Sequence, residues 1–381
     1  MIFFHPDGTG ANHWSAARMY FKGPDGYLNW DLLPHLALYR GHMKYNLIGT
    51  SNGGATTHAF GARVDGTGSF GKDGNGPNAV PIHSLSGYPG SIAREAANRG
   101  MPVGLVNDSH IRAGTSCFLM VGNREDWRGH RQMIRGARAS AIPPPGSSWA
   151  AGKRTRVRRA RRSSTATTTK SAARPSTPRP VCAPTTWTSS CEQEASDNFG
   201  NQNNAIGVMQ ALHDTDQAIG VARDYLRLNP DILILTAADS DAGGMQVTAP
   251  YRNAVVTDAG NIDTHSFPAG FDTNPAADAP GLPNLPDGVE GRGEDPKATG
   301  GAKMFLSEPD ALGQRMEFGI LWTGLSDNGG GIISRAAGVN AGLLNALFPA
   351  RFDNIDVYRM LYATLFGRLL DYPSNPAAQR R

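Results

Sequence analysis

Short apolar runs take turns with longer amphipathic ones along this chain. Ile2-Phe3-Phe4 reads as a buried strand that stops at Pro6-Asp7-Gly8. Ile92 to Arg99 has helical spacing and is closed by Gly100, and Val103-Gly104-Leu105-Val106 follows as a strand. Ile206 to Leu226 predicts a long helix, with Ile206, Val208, Met209, Leu212, Ala218, Ile219 and Ala222 as its apolar positions and Asn229-Pro230 as its stop. Ile232 to Thr236 is apolar on both faces, as a parallel strand buried on both sides must be, and runs toward Asp239. Ile332-Ile333 predicts a further strand and Val357 to Phe366 a helix. Such alternation argues for an α/β fold, a mostly parallel sheet covered on both faces.

Two stretches break the pattern. Residues 250–310 are rich in Pro, Gly and Asp, most of all over 260–300, and predict a long surface loop. The other is the segment 129–191. Patterned sequence stops near Arg128 and resumes near Glu192. Within it, residues 138–191 hold 11 Lys and Arg, no Asp or Glu, and no Leu, Phe or Tyr. Three readings fit: a solvated basic linker, an arm for nucleic acid or a membrane surface, or out-of-frame translation of a GC-rich gene between two compensating indels. The rest of the 381 residues reads as a single domain.

That segment changes what the charge means. The chain has a net charge of +4. Of its 37 basic residues, 26 lie outside 138–191, against 33 acidic ones, so the body of the protein is acidic. A nucleic-acid partner therefore does not follow from the total. No apolar run reaches transmembrane length, and no signal peptide precedes Met1-Ile2-Phe3-Phe4, so the natural start is expected upstream. Cys117, Cys182 and Cys191 lack metal-ligand spacing and form no evident disulfide framework.

Candidate chemistry gathers where apolar runs end. In residues 47–64 an apolar lead-in stops at Thr50-Ser51, and Gly53-Gly54 opens a helix-compatible run. Ser51 then sits at a helix N-terminus, whose unpaired N–H groups suit a developing alkoxide or a bound phosphate. Plain helix capping explains the same residues. Asp7 and Asp239 both follow predicted strands, where α/β folds build their sites. They suit metal ligands there, or caps of the next helix or turn.

Taken in order, these fragments resemble the alkaline phosphatase family. Phe4-His5-Pro6-Asp7-Gly8-Thr9-Gly10 resembles its opening strand and turn, and Thr50 to Thr57, continuing to Gly61, its nucleophile segment. Gly100 to Val106 followed by Ala113-Gly114-Thr115-Ser116 resembles the strand before its Ala-Thr-Pro turn. Glu192 and Asp197 keep its Glu-x4-Asp spacing. Thr236 to Gly244 resembles its Thr-Ala-Asp-His strand end, and Trp322-Thr323-Gly324 and Phe352 to Tyr358 its last site segment and closing helix. The resemblance implies a three-layer α/β/α sandwich and hydrolysis of phosphate monoesters through a phosphoserine intermediate, with two zinc ions and one magnesium. It implies Ser51 as nucleophile and Asp7 as the bridge between two metals. It further implies Thr115 and Glu192 at the magnesium, with Glu194 as an alternative to Glu192. Asp239 would hold the metal that activates Ser51, and Asp197 the metal at the leaving oxygen. Arg124 is its candidate phosphate clamp. Small phosphate esters would be the partners, a homodimer is compatible, and the location would be periplasmic or secreted.

The chain departs from that pattern at its metals. Asn201, Ser240 and Trp322 stand where the family has metal-binding histidines, and Thr50 replaces an Asp beside the nucleophile. The remaining donors are mostly oxygens, which suit Mg²⁺ or Ca²⁺ better than Zn²⁺. Trp322 can pack or stack but cannot ligate, while Asp327 and Asn328 nearby offer oxygens. Among other histidines, His58 is expected to be packed or half-exposed, and His110 and His265 are weaker site candidates. Two functions follow: a metal-dependent phosphoric monoester hydrolase, or a relative that binds phosphate or a phosphorylated ligand without turnover.

Overall fold

In a computed structural model the described residues are 1–65, 70–74, 76–107, 188–248, 305–346 and 352–377. Thr115, Arg124, His110, His265 and most of the two unpatterned stretches lie outside them. Seven strands form the main sheet: β1 (Ile2–Pro6), β2 (His35–Arg40), β3 (Val103–Asn107), β4 (Thr188–Gln193), β5 (Leu233–Thr236), β6 (Ile332–Gly338) and β7 (Phe352–Asp353). Their spatial order is β7-β2-β6-β5-β1-β4-β3. Every neighbouring pair is parallel except those of β6, which runs against both β2 and β5. The expected α/β fold with a mostly parallel sheet is therefore present.

Alternate residues of one strand enter two different cores, the two-sided burial that the unbroken apolar runs require. Phe3, Leu233, Leu235 and Ala336 join the core beneath α2 (Ser51–Phe60), α3 (Ile92–Asn98) and α7 (Asn354–Phe366). Their neighbours Phe4, Ile234 and Ala337 join a second core with α1 (Ala11–Lys22) and α5 (Ala205–Leu228). A short helix, α4 (Glu194–Gly200), follows β4 directly, and another, α6 (Leu343–Ala346), precedes β7. The predicted strands and helices at 2–4, 92–99, 103–106, 206–226, 232–236, 332–333 and 357–366 all exist, each within a few residues of its expected limits.

Among the elements that escaped the pattern are α1 and β2. In α1 the buried residues are His13, Trp14, Ala16 and Ala17, a mixed set that includes a histidine and no large aliphatic residue. In β2 the alternation misleads: Leu36 and Leu38 face outward, while Tyr39 is buried. A boundary also moves. Strand β4 begins at Thr188, inside the basic segment that composition extended to 191. Its Thr-Ser-Ser-Cys start lacks large apolar residues, yet it pairs on both sides, with β1 and β3.

The second core is anchored by Trp14 and Trp30, stacked at 4.5 Å with 2° between their planes. Trp30 Nε1 donates to Thr236 Oγ1 of β5 at 3.2 Å, and the Arg335 guanidinium lies 4.5 Å from its ring centre. Trp30→Ala is therefore expected to destabilise the fold by about 3–5 kcal/mol, the usual loss for a buried large aromatic. Chemical denaturation of both proteins measures this, and a loss below about 1 kcal/mol would contradict the anchoring role.

Candidate active site

The carboxyl ends of β1, β4 and β5 lie side by side, because β1 pairs in parallel with both neighbours. Asp7 is the first residue past β1. Asp239 follows β5 after Ala237 and Ala238. Glu192 is in β4, in register with His5, and Glu194 opens α4. All five side chains are buried. Around them the backbone is pinned: Asp7 N donates to Gln193 O at 3.2 Å, and Ser196 Oγ lies 2.7 Å from Asp7 O.

Buried carboxylates ordinarily take hydrogen bonds. As ionised groups, Asp7 and Asp239 have none on any of their four oxygens among the described residues, and Glu192 Oε2 also has none. Two overlapping sets result. His5, Asp7 and Asp239 each offer a ligand atom within 4.8 Å of the others, and so do Asp7, Glu192 and Glu194. Asp7 belongs to both. Burial, and then the charge of Asp239, push the Asp7 carboxyl well above its ordinary value. Burial opposes charge on Asp239 too, but a proton retained on Asp7, with His5 and His58, holds Asp239 low. An oxygen-rich, donor-poor cluster of this kind fits divalent cations.

A second ring of acid surrounds the first. Asn201 Nδ2 lies 3.1 Å from both Asp197 Oδ1 and Asp327 Oδ1. Burial, and then the Asp327 charge, raise Asp197 to about 9. Asp327 is raised as well, by burial first and Asp239 second. Asn201 thus tethers two carboxylates where an imidazole was expected. Trp322 is in the second core and meets His13 edge-on, so it packs. His13 is buried and neutral, lowered to about 4 by burial, with Gly10 N donating to its Nδ1 and its Nε2 3.1 Å from Ala242 O. Ser240 is buried.

Two glycines allow this crowding. Gly8, at φ +65°, would place a Cβ 2.7 Å from Asp197 Oδ1. Gly54, in the first turns of α2, lies against Asp239, where a Cβ would collide with the carboxylate's own Cβ. The close approach seats the N-terminal turn of α2 beside Asp239. Ser51 is the first residue of that helix and is half-buried. Thr50 before it is extended, and its side chain makes no capping hydrogen bond.

Of the residues singled out from sequence, Asp7, Glu192, Glu194 and Asp239 converge, Asp197 and Asp327 surround them, and α2 brings Ser51 to the same rim. His58 is packed, as expected: it sits between His5 and Tyr39, with Nε2 2.7 Å from Tyr39 Oη, lowered to about 3 by burial. His5 was missed. Its only sequence signal was a polar residue inside an otherwise apolar strand.

No family model matches the chain, and no curated protein matches it by sequence. Solved structures do. Alkaline phosphatase from the Antarctic bacterium TAB5 is 13% identical, with 96% of each chain covered and a TM-score of 0.56. Cold-active alkaline phosphatase from the psychrophile Shewanella sp. is 14% identical over 96% of this chain and 99% of that one, TM-score 0.55. Thermus thermophilus alkaline phosphatase is 12% identical over 99% and 92%, TM-score 0.55. The chain therefore has an alkaline-phosphatase-like fold.

Protons held on buried acids make the cation-free protein sensitive to base. A carboxyl raised to about 9 keeps its proton in the folded state and sheds it in the unfolded one, so stability falls as pH rises toward that value. Between pH 7 and 9, above the titration of His13 and His58, the chelator-treated protein should melt at progressively lower temperature. Added Mg²⁺ should flatten that slope. A melting temperature that stays constant over the interval would rule out the protonated cluster.

Proposed function

We propose that this chain is a metal-dependent phosphoric monoester hydrolase that works through a phosphoserine on Ser51, within a three-layer α/β/α sandwich. The observation that carries this reading is the pair of orphan carboxylates, Asp7 and Asp239, with the first turn of α2 packed against one of them. In this reading Ser51 Oγ attacks phosphorus in line. The hydroxyl gives its proton to water as the Oγ–P bond forms, the ester P–O bond breaks, and the alcohol leaves with a proton from water. Water then attacks the phosphoserine, which frees inorganic phosphate and restores the hydroxyl. Backbone N–H groups at the start of α2 bind the phosphate oxygens throughout. Asp7, Asp239, Glu192 and Glu194 would hold the cations, with Asp197 and Asp327 at their edge and Thr115 completing the set. When bound, such cations lower the pKa of the attacking hydroxyl and offset charge at phosphorus and on the leaving oxygen. Arg124 is the proposed phosphate clamp. Small phosphate esters are the substrates, Mg²⁺ or Ca²⁺ the preferred ions, and a periplasmic or secreted location and a homodimer belong to the same reading. Among the described residues no helix is long and apolar enough to cross a membrane.

One observation favours a second reading, a phosphate-binding relative without turnover. Asn201 and Trp322 are committed to tethering and packing, so neither replaces a lost imidazole. Phosphate that binds to a cooperatively melting protein, with no ester turnover under any divalent cation, would favour it.

The hydrolase reading makes two measurable demands. With an aryl phosphate and Mg²⁺, Ser51→Ala should lower phosphate release by about a thousandfold or more, as loss of a nucleophile does. Undiminished release would rule out the phosphoserine. After chelation, Mg²⁺ or Ca²⁺ should restore turnover. A protein that held stoichiometric zinc and ignored both ions would refute the oxygen-ligand assignment.

A further inference from the structure

The histidines expected at the metals are gone, but β1 carries another. His5 is wholly buried beneath the site, with His58 5.3 Å and Phe3 6.1 Å away between ring centres. An imidazole buried in a central strand is stabilised by polar partners. Nδ1 lies 3.1 Å from Glu192 Oε1, across the strand pair that sets the two in register. A carboxylate that accepts from Nδ1–H fixes the tautomer whose lone pair is on Nε2. Metal-binding histidines are held in this way. The same ring offers a nitrogen within 4.8 Å of a carboxylate oxygen of both Asp7 and Asp239, close enough to share one ion, and neither carboxylate has a hydrogen bond among the described residues.

We infer that His5 Nε2 is an imidazole ligand to a divalent cation shared with Asp7 and Asp239, and that Glu192 is the positioning residue for its ring. This rests on the reading that Asp7 and Asp239 hold a cation, not on hydrolysis. The two overlapping sets then differ in chemistry. His5, Asp7 and Asp239 form a mixed nitrogen–oxygen set that suits a borderline ion such as Zn²⁺. Asp7, Glu192 and Glu194 form an all-oxygen set that suits Mg²⁺ or Ca²⁺. An imidazole from the floor of the site thereby replaces those absent at Asn201, Ser240 and Trp322.

Calorimetric titration of the chelator-stripped full chain with Zn²⁺ and, separately, Mg²⁺ tests this. Gln at position 5 keeps an oxygen donor but has no imidazole. His5→Gln should weaken Zn²⁺ binding at least about tenfold, the low end for disturbing a histidine–metal unit, and leave Mg²⁺ binding within a factor of about three. Wild-type Zn²⁺ affinity in His5→Gln, or a wild-type chain that takes up no Zn²⁺, overturns the inference. Should that variant not fold, histidine-¹⁵N spectra of the wild-type chain decide: one equivalent of Zn²⁺ should shift the Nε2 signal of a buried histidine, and no such shift overturns it. Phosphate release is assayed on the same samples. Zinc held through His5 with no turnover under Zn²⁺, Mg²⁺ or Ca²⁺ sinks the hydrolase reading alone, and Mg²⁺-dependent turnover with unchanged Zn²⁺ binding in His5→Gln sinks this inference alone.

Discussion

Two acidic side chains forced together, without a hydrogen bond among the described residues, govern the rest of this structure. Asp7 and Asp239 project from adjacent parallel strands into a buried space. Two unit charges about 4 Å apart repel by about 4 kcal/mol at an effective dielectric of about 20. That is a large share of the ~5–15 kcal/mol that holds a typical domain together. The fold answers it in one of two ways, by a proton retained on Asp7 or by a cation between the carboxylates. The surrounding acids repeat the problem on a wider radius, with Asn201 as a neutral tether between Asp197 and Asp327.

The sheet is what makes this arrangement affordable. Residues on both faces of β1 and β5 are packed in separate cores, so the strand ends are held rigidly from two sides. The main-chain bonds from Asp7 to Gln193 and from Ala237 to Phe4 lock the three strand ends together. Helix α2 is then pressed onto Asp239 because Gly54 carries no side chain, and the positive end of its dipole adds to the cluster. The hydroxyl at that helix start therefore meets the positive end of the helix beside a cluster of buried carboxylates. The first core also closes around a tyrosine and a histidine, Tyr39 and His58, so the floor of the site is polar even where it is dry.

Physical reasons separate what could be read along the chain from what could not. Strands β1 and β5 announced themselves because both faces are buried and every position is apolar or nearly so. Helix α5 did so because one long face is buried. Asp7 and Asp239 were conspicuous as acids at the ends of such runs. Strand β2 was hidden because its leucines point outward while its buried position is Tyr39, with Ala37 half-buried beside the core, the reverse of what hydrophobicity suggests. Helix α1 was hidden because its fully buried positions mix one tryptophan with alanines and a histidine, which leaves no run of large aliphatic residues at helical spacing. Strand β4 was masked by the unpatterned basic stretch that runs into it.

The order of residues alone determined the fold class, the strand-end carboxylates and the serine at a helix start, because each leaves a local signature within a few neighbouring positions. Only the tertiary structure decided which acids face one another, that Asn201 spans Asp197 and Asp327, that Trp322 packs, and that His5 reaches Glu192, Asp7 and Asp239. The reason is separation: His5 and Glu192 are 187 positions apart, and only the register of two parallel strands brings them within a hydrogen bond.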